Sequence, residues 1–248
     1  MRIEPLGAGV TVCVTDSHHF TTDTILLADF AQPKKHERAM DMGTGCGTIP
    51  LLWARDDVPK EVVAVDIQPD AVELLVRSLD VNRAGGHTTA HITPLLADIR
   101  QLDERYDAGS FDLVVCNPPY TRYGAGIESP DPSHRIIRHE TCCTLDDICR
   151  VSAHLLRFGG RLCVCQRPER LTDVLDSMRR HGIEPKRLRL VQGKCDKPPK
   201  LVLIEGKRGA RVGFLEVMPT LIVENPDGSF TDGMIQIYRT YQEDRYHE

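Results

Sequence analysis

Apolar residues along this chain occur in two alternating spacings. Short continuous runs, "RAMDMG", "EVVAVDI", "ITPLLADI", "FDLVVC", "GRLCVCQ", "KRLRLVQ" and "KLVLIEG", are bounded by turn-forming residues. Unbroken runs of that length fit strands covered on both faces. Between them the spacing becomes helical. "QPDAVELLVRSLDVNRAGG" places Ala71, Leu74, Leu75 and Leu79 on one stripe and stops at Gly85-Gly86. "TLDDICRVSAHLLRFGG" predicts a second helix, ending at Gly159-Gly160, and "RPERLTDVLDSMRRHG" predicts a third. Strands alternating with helices imply an α/β fold with a parallel, doubly wound sheet. No helical segment separates the last two strands, so they are expected to pair antiparallel.

The ends of the chain add smaller pieces. "GVTVCVT" reads as a strand, and "TDTILLADFA" as a helix capped by Thr22 or Asp23. Residues 1–38 are expected to form an N-terminal lid leading into the main domain, residues 39–211. Residues 212–248 form a small appendage with an "NPDG" turn and a terminal helical turn, the whole being one compact unit. No repeat or low-complexity tract occurs.

At 248 residues the chain is long enough to bury roughly three quarters of its unfolded surface. It lacks an apolar run of about eighteen residues, and "MRIEPLGAGV" does not read as a signal peptide, so a soluble cytoplasmic protein without a membrane partner is expected. The nine cysteines form no C-x-x-C pair and have no histidine at zinc spacing; they read as small buried residues, and no metal is expected. The net charge of −5 argues against a protein that coats nucleic acid, but it is unevenly spread. Arg161 to Arg211 holds 14 Lys and Arg against 6 Asp and Glu, a local +8 that leaves −13 for the remainder. One basic face is compatible with that distribution, as is an ordinary solvated surface.

Two segments carry chemistry. "AMDMGTGCGTIPLLWA" is a strand, a loop with Gly43, Gly45 and Gly47, and a helix. Glycines there let the backbone approach a ligand and present a helix N-terminus. The loop departs from G-x-G-x-x-G, because the third glycine comes one residue early and Asp41 precedes the first. A carboxylate at that place disfavours a dinucleotide pyrophosphate and favours a ligand with a cationic part, such as S-adenosyl-L-methionine. Asp66, nineteen positions after Gly47, ends the second strand where an acid binds ribose hydroxyls. Asp98 ends the third, placed to accept from the adenine amine; Ile67 and Ile99, which follow the two acids, join the cofactor set. The other segment is "CNPPY", Cys116 to Tyr120. Its prolines stiffen the exit from a buried strand, holding the Asn117 amide, the Pro118 carbonyl and the Tyr120 ring in one relation. That arrangement suits a flat group carrying hydrogen-bond donors, and a plain strand-ending turn is the other reading.

Asp41, the glycines, Asp66, Asp98 and "NPPY", in order on successive strand ends, resemble the Rossmann-like, class I S-adenosylmethionine-dependent methyltransferases. "NPPY" is similar to the signature of the subset that methylates adenine N6, cytosine N4 or glutamine amide nitrogen. "HFTTDTILLADFA", "CNPPY", "RHETCCTLDDICRVSAHLLRFGGRLCVCQRPERL" and "PPKLVLIEGKRG" resemble the bacterial tRNA adenine-N6 methyltransferases that act beside the anticodon of a valine tRNA. The resemblance spans nearly the whole chain. It implies a seven-stranded sheet with an antiparallel last strand pair, S-adenosyl-L-methionine as cofactor and tRNA as substrate. It also implies that Thr22 and Asp23 hold the methionine end of the cofactor, a helix cap being the alternative.

An exocyclic amine conjugated to a purine is a poor nucleophile because its lone pair is delocalised. Asn117 and Pro118 oxygens that each accept one amine hydrogen favour a pyramidal nitrogen, and Asn117 thereby also enters the cofactor set, close to the methyl group. Tyr120 would stack on a flipped base. Arg138, in "RHE", either contacts nucleic acid or belongs to the cap of the next helix. Arg167, Lys197 and Lys200 are candidate phosphate contacts. Two other functions fit less of the sequence. A protein glutamine methyltransferase of this kind leads one to expect a sizeable N-terminal helical substrate domain, yet only about forty residues precede Asp41. A non-catalytic nucleic-acid-binding module has no need of so complete a set of strand-end residues.

Overall fold

The fold was obtained as a computed structural model that describes residues 1–87, 89, 91–118 and 143–242. A hairpin, β1 (Arg2–Gly7) and β2 (Val10–Val14), precedes helix α1 (Thr22–Ala31). Then strands and helices alternate: β3 (Arg38–Met42), α2 (Thr48–Ala54), β4 (Glu61–Asp66), α3 (Pro69–Ala84), β5 (Ile92–Leu96), the short α4 (Leu102–Arg105) and β6 (Phe111–Cys116). After the gap in the described residues come α5 (Leu145–Leu155), β7 (Leu156–Gln166), α6 (Leu171–Arg180), β8 (Ile183–Gln192) and β9 (Pro199–Arg208). Two-residue strands β10 (Glu216–Val217) and β11 (Leu221–Ile222) and helix α7 (Asp232–Gln242) follow.

Seven strands run in the order β8-β9-β7-β6-β3-β4-β5, and β9 alone opposes its neighbours, pairing antiparallel with both β7 and β8. This is the doubly wound sheet expected from the sequence, with its antiparallel last pair. β10 and β11 add to it in parallel with β8, so the segment after Arg211 widens the sheet to nine strands. One apolar cluster, on the face of α1, α2, α3 and α7, includes Leu26, Trp53, Leu75 and Met234; the other, under α4, α5 and α6, includes Met40, Leu102, Ile148 and Met178. Burying each such side chain contributes roughly 1.5–3 kcal/mol. Strand order reverses between β3 and β6, and in sheets of this kind the crevice at that reversal is where ligands bind.

The hairpin is fastened to α3 by two polar residues that the helix buries. Asn82 accepts from Thr11 N (2.8 Å) and donates to Thr11 O (2.7 Å), while Ser78 Oγ accepts from Cys13 N (2.8 Å). They substitute for a neighbouring strand along β2.

Three expectations are corrected. The helix expected to run to Gly159-Gly160 ends at Leu155, and the glycine pair lies inside β7. Gly159 adopts a φ of 76°, and a Cβ on Gly160 would come within 2.9 Å of the Arg157 carbonyl, so the pair makes an irregularity opposite Phe111 and Leu113. The N-cap of α1 is Thr21, an extended residue with no side-chain capping bond, in place of Thr22 or Asp23. The capping role weighed for Arg138 to Glu140 falls to Thr144. Its Oγ accepts from Asp147 N (3.1 Å) and its own N–H donates to Asp147 Oδ2 (3.0 Å), a reciprocal capping box.

Candidate active site

The turn after β3 is shaped by the end of β4. Gly43 N and Thr44 N both donate to the Val65 carbonyl, at 2.8 and 2.9 Å. Asp66, at the tip of β4, accepts from Gly45 N through Oδ2 (2.8 Å) and from Gln68 N through Oδ1 (3.0 Å). The acid thereby holds the loop open while each oxygen keeps a second lone pair. Gly43 and Gly45 have φ of 73° and 55°, and a Cβ on either would meet nothing within 4 Å, which leaves the backbone open on that side. Gly47 meets a different requirement. Its φ is 84° and a Cβ would lie 2.3 Å from Leu75 Cδ1, so it lets α2 pack against α3.

Asp41 is buried, and its Oδ2 has no hydrogen-bond partner among the described residues. Burial pushes its carboxyl up to about 7, and the nearby Asp66 adds to the rise. Desolvation raises Asp66 as well, against the backbone N–H groups of Gln68, Gly45 and Ile67 and the charge of His18. His18 is buried with Nε2 unpartnered among the described residues, on the loop from β2 to α1. With Thr44 Oγ1, in the turn itself and also unpartnered among the described residues, three orphaned polar atoms at an open glycine turn fit a polar, partly cationic ligand. Asp98 sits at the head of a short helical turn, and the Arg100 guanidinium clasps its carboxylate (Nη2 to Oδ2, 2.6 Å), holding it below the usual carboxylate range. Ile67 is 38% exposed and Ile99 half-buried, both along this edge.

Asn117 and Pro118 follow β6, whose last residue pairs with Met42 of β3, so these two residues lie beside the glycine turn. The Asn117 amide bridges two elements: Nδ2 donates to Thr24 Oγ1 on α1 (3.1 Å), and Oδ1 accepts from Cys165 Sγ on β7 (3.0 Å). Thr22, exposed at the start of α1, accepts from Tyr238 Oη (3.3 Å), and Asp23 is half-buried next to it. Tyr120 and Arg138 lie outside the described residues. Arg167 follows β7 and donates through Nη1 to the Lys200 carbonyl (3.0 Å), bringing two of the three basic candidates together. Lys197 is exposed in the loop before β9 and pairs with Asp196 (3.4 Å). Thr24, Cys165 and His18 were not singled out from the sequence. Thr24 neighbours a chosen segment, whereas an ordinary buried-strand alternation hides Cys165.

The structure thus sets a glycine turn with two buried acids beside a rigid amide, at the reversal point of a doubly wound sheet. That arrangement defines a class I methyltransferase, an enzyme that depends on S-adenosyl-L-methionine. A family model described as the methyltransferase small domain matches residues 17–180. The tRNA1(Val) (adenine(37)-N6)-methyltransferase of Parabacteroides distasonis is 30% identical over 188 residues, 74% of either chain. That of Porphyromonas gingivalis is 30% identical over 224 residues, 87% of this chain and 85% of the relative. The chain belongs to this family of tRNA adenine-N6 methyltransferases within the methyltransferase small-domain proteins. Among solved structures, one described as a predicted O-methyltransferase from Agrobacterium tumefaciens superimposes with a TM-score of 0.67 at 20% identity, covering 88% of this chain and 96% of that one. M. capricolum TrmK in complex with S-adenosyl-homocysteine gives 0.54 at 13% identity, covering 80% and 73%. These two likenesses bear on the fold. No helix among the described residues is long and apolar enough to cross a membrane.

Proposed function

We propose that the chain methylates the exocyclic N6 amine of adenine 37 in tRNA1(Val), the target named for its relatives. The observation that carries this reading is the Asn117 amide, fixed at the end of β6 beside the glycine turn. Its Oδ1 accepts one hydrogen of the target amine and the Pro118 carbonyl accepts the other, turning the nitrogen lone pair out of conjugation with the ring. Tyr120 stacks on the extruded base. Alignment and electrostatic positioning supply the rate, with no strong base required. The proton shed by the methylated nitrogen goes to solvent.

S-adenosyl-L-methionine supplies an electrophilic methyl carbon next to a positive sulfur. Asp41, with its orphaned oxygen, faces the cationic part, and Gly43 and Gly45 leave room for the ligand. Gly47 sets the turn that carries them. Asp66 binds the ribose hydroxyls through its remaining lone pairs. Asp98, held by Arg100, receives the adenine amine between Ile67 and Ile99, and Thr22 and Asp23 hold the methionine end. Arg167, Lys197, Lys200 and Arg138 contact tRNA phosphates. The test is nucleoside mass spectrometry of a tRNA(Val) transcript incubated with the chain and labelled cofactor. Labelled N6-methyladenosine at the position beside the anticodon is the expected product; label in another nucleoside or in protein would refute the assignment.

A further inference from the structure

We infer that Thr24 and Cys165 are positioning residues that together clamp the Asn117 amide in its reactive orientation. The inference rests on the role given to Asn117 above. A free asparagine amide rotates and flips at little cost, and a flip would present an NH2 group to the amine it has to bind. Here each end of the amide has a partner of its own. Nδ2 donates to Thr24 Oγ1 at 3.1 Å, and Oδ1 accepts from Cys165 Sγ at 3.0 Å. The partners come from separate elements on the same side of the sheet. Cys116 pairs with Val164, which sets Cys165 beside Asn117. Cys165 is fully buried in the apolar cluster against which α1 packs, and Thr24 stands in the first turn of α1.

The chemistry of the two partners suits the task. An amide oxygen has two acceptor sites, so accepting the thiol hydrogen uses only one of them. A thiol is a weak donor and draws little electron density from that oxygen, which keeps its acceptor strength for the reacting nitrogen. Fixing the amide before the substrate arrives removes a reorganisation cost from the transition state.

The test combines single-turnover methylation of the tRNA(Val) transcript at saturating cofactor with ¹⁵N NMR of the asparagine side-chain amides. Cys165→Ala and Thr24→Val should each slow methyl transfer about tenfold, the scale of one oriented hydrogen bond. Cofactor and RNA affinities should stay unchanged. Cys165→Ser and Thr24→Ser should recover most of the rate, and the loss from Cys165→Ala should vanish in an Asn117→Ala background. The Asn117 amide signals, assigned by their loss in Asn117→Ala, should shift in Cys165→Ala and Thr24→Val. Unmoved signals overturn the clamp whatever RNA is used. So does a wild-type rate in both variants when Asn117→Ala is slow, an undiminished loss in the Asn117→Ala background, or equally slow serine variants. An Asn117→Ala chain as fast as wild type would instead sink the role of Asn117, and the clamp with it.

Discussion

The two ends of the same strands hold buried acids in opposite circumstances. At the amino ends of the parallel strands, Glu37 before β3 and Glu205, toward the carboxyl end of the opposed β9, close around Arg161 of β7. Arg161 donates to Glu37 Oε2 (2.9 Å), Glu205 Oε2 (3.1 Å) and the Ala31 carbonyl (2.8 Å), and Lys34 N donates to Glu37 (2.8 Å). At the carboxyl ends, Asp41 has an oxygen with no hydrogen-bond partner among the described residues, and burial drives its carboxyl to about 7. A satisfied cluster ties α1 to the sheet. An unsatisfied one carries a desolvation cost, which the cationic ligand proposed above would remove. The contrast separates structural charge from functional charge on one set of strands.

The comparison breaks most sharply at its structural end. Arg161→Met removes the cation shared by two buried carboxylates, 5% and 3% exposed, leaving Glu205 with Arg187 (3.7 Å) and Glu37 with the Lys34 N–H (2.8 Å). Unfolding by urea should show a loss of about 3–5 kcal/mol. Cofactor affinity measured below the new transition should be retained, and a stability close to wild type would mean the cluster is not what joins α1 to the sheet.

Asn117→Ala tests the functional end. Its rate of methyl transfer should fall about 10²-fold or more with little change in RNA binding, because the contact tightens as the nitrogen becomes pyramidal. Asn117→Asp should regain part of the rate, since a carboxylate oxygen still accepts. Weaker RNA binding at an unchanged rate would make "NPPY" a docking turn. Asp66→Ala should weaken cofactor binding by about 1–3 kcal/mol in calorimetry, the scale of charge-assisted hydrogen bonds; unchanged affinity in a folded variant would contradict its ribose role.

The pH dependence follows from Asp41. Its carboxyl titrates near 7 in the folded chain against an ordinary 3.8, so the folded state carries the extra proton between those values. This group's contribution to stability therefore declines as pH rises from about 4 to 7 and is level above that. A cationic ligand favours the ionised form, so cofactor affinity should rise about tenfold from pH 6 to pH 8, with proton release on binding near neutrality. Asp41→Asn should abolish that dependence, and an identical pH profile in the variant would move the titrating group elsewhere. The smallest effect is expected on the RNA face. Each of Arg167→Gln, Lys197→Gln and Lys200→Gln should lower the salt slope of tRNA binding by about 0.7–0.9, and unchanged slopes would place the phosphate contacts on another surface.

Periodicity and punctuation alone determined the order of the seven central strands and the longer helices between them, the antiparallel final pair and the row of residues from Asp41 to Asn117 at the strand ends. The reason is geometric. In a parallel sheet every strand delivers its last residue to the same edge, so sequence position translates directly into a place at the site. Whatever depended on contacts between distant segments was decided only by the tertiary structure. Gly159-Gly160 look like a helix stop until their positions within β7 are known. Gly47 reads as a third ligand glycine until Leu75 lies against it. The local excess of basic residues counts Arg161 with Arg167, although one is enclosed by two glutamates and the other is exposed at a strand end. Thr24 and Cys165 have no signature of their own, because a hydroxyl on a helix and a thiol in a strand gain significance only when packing sets both against the amide of Asn117.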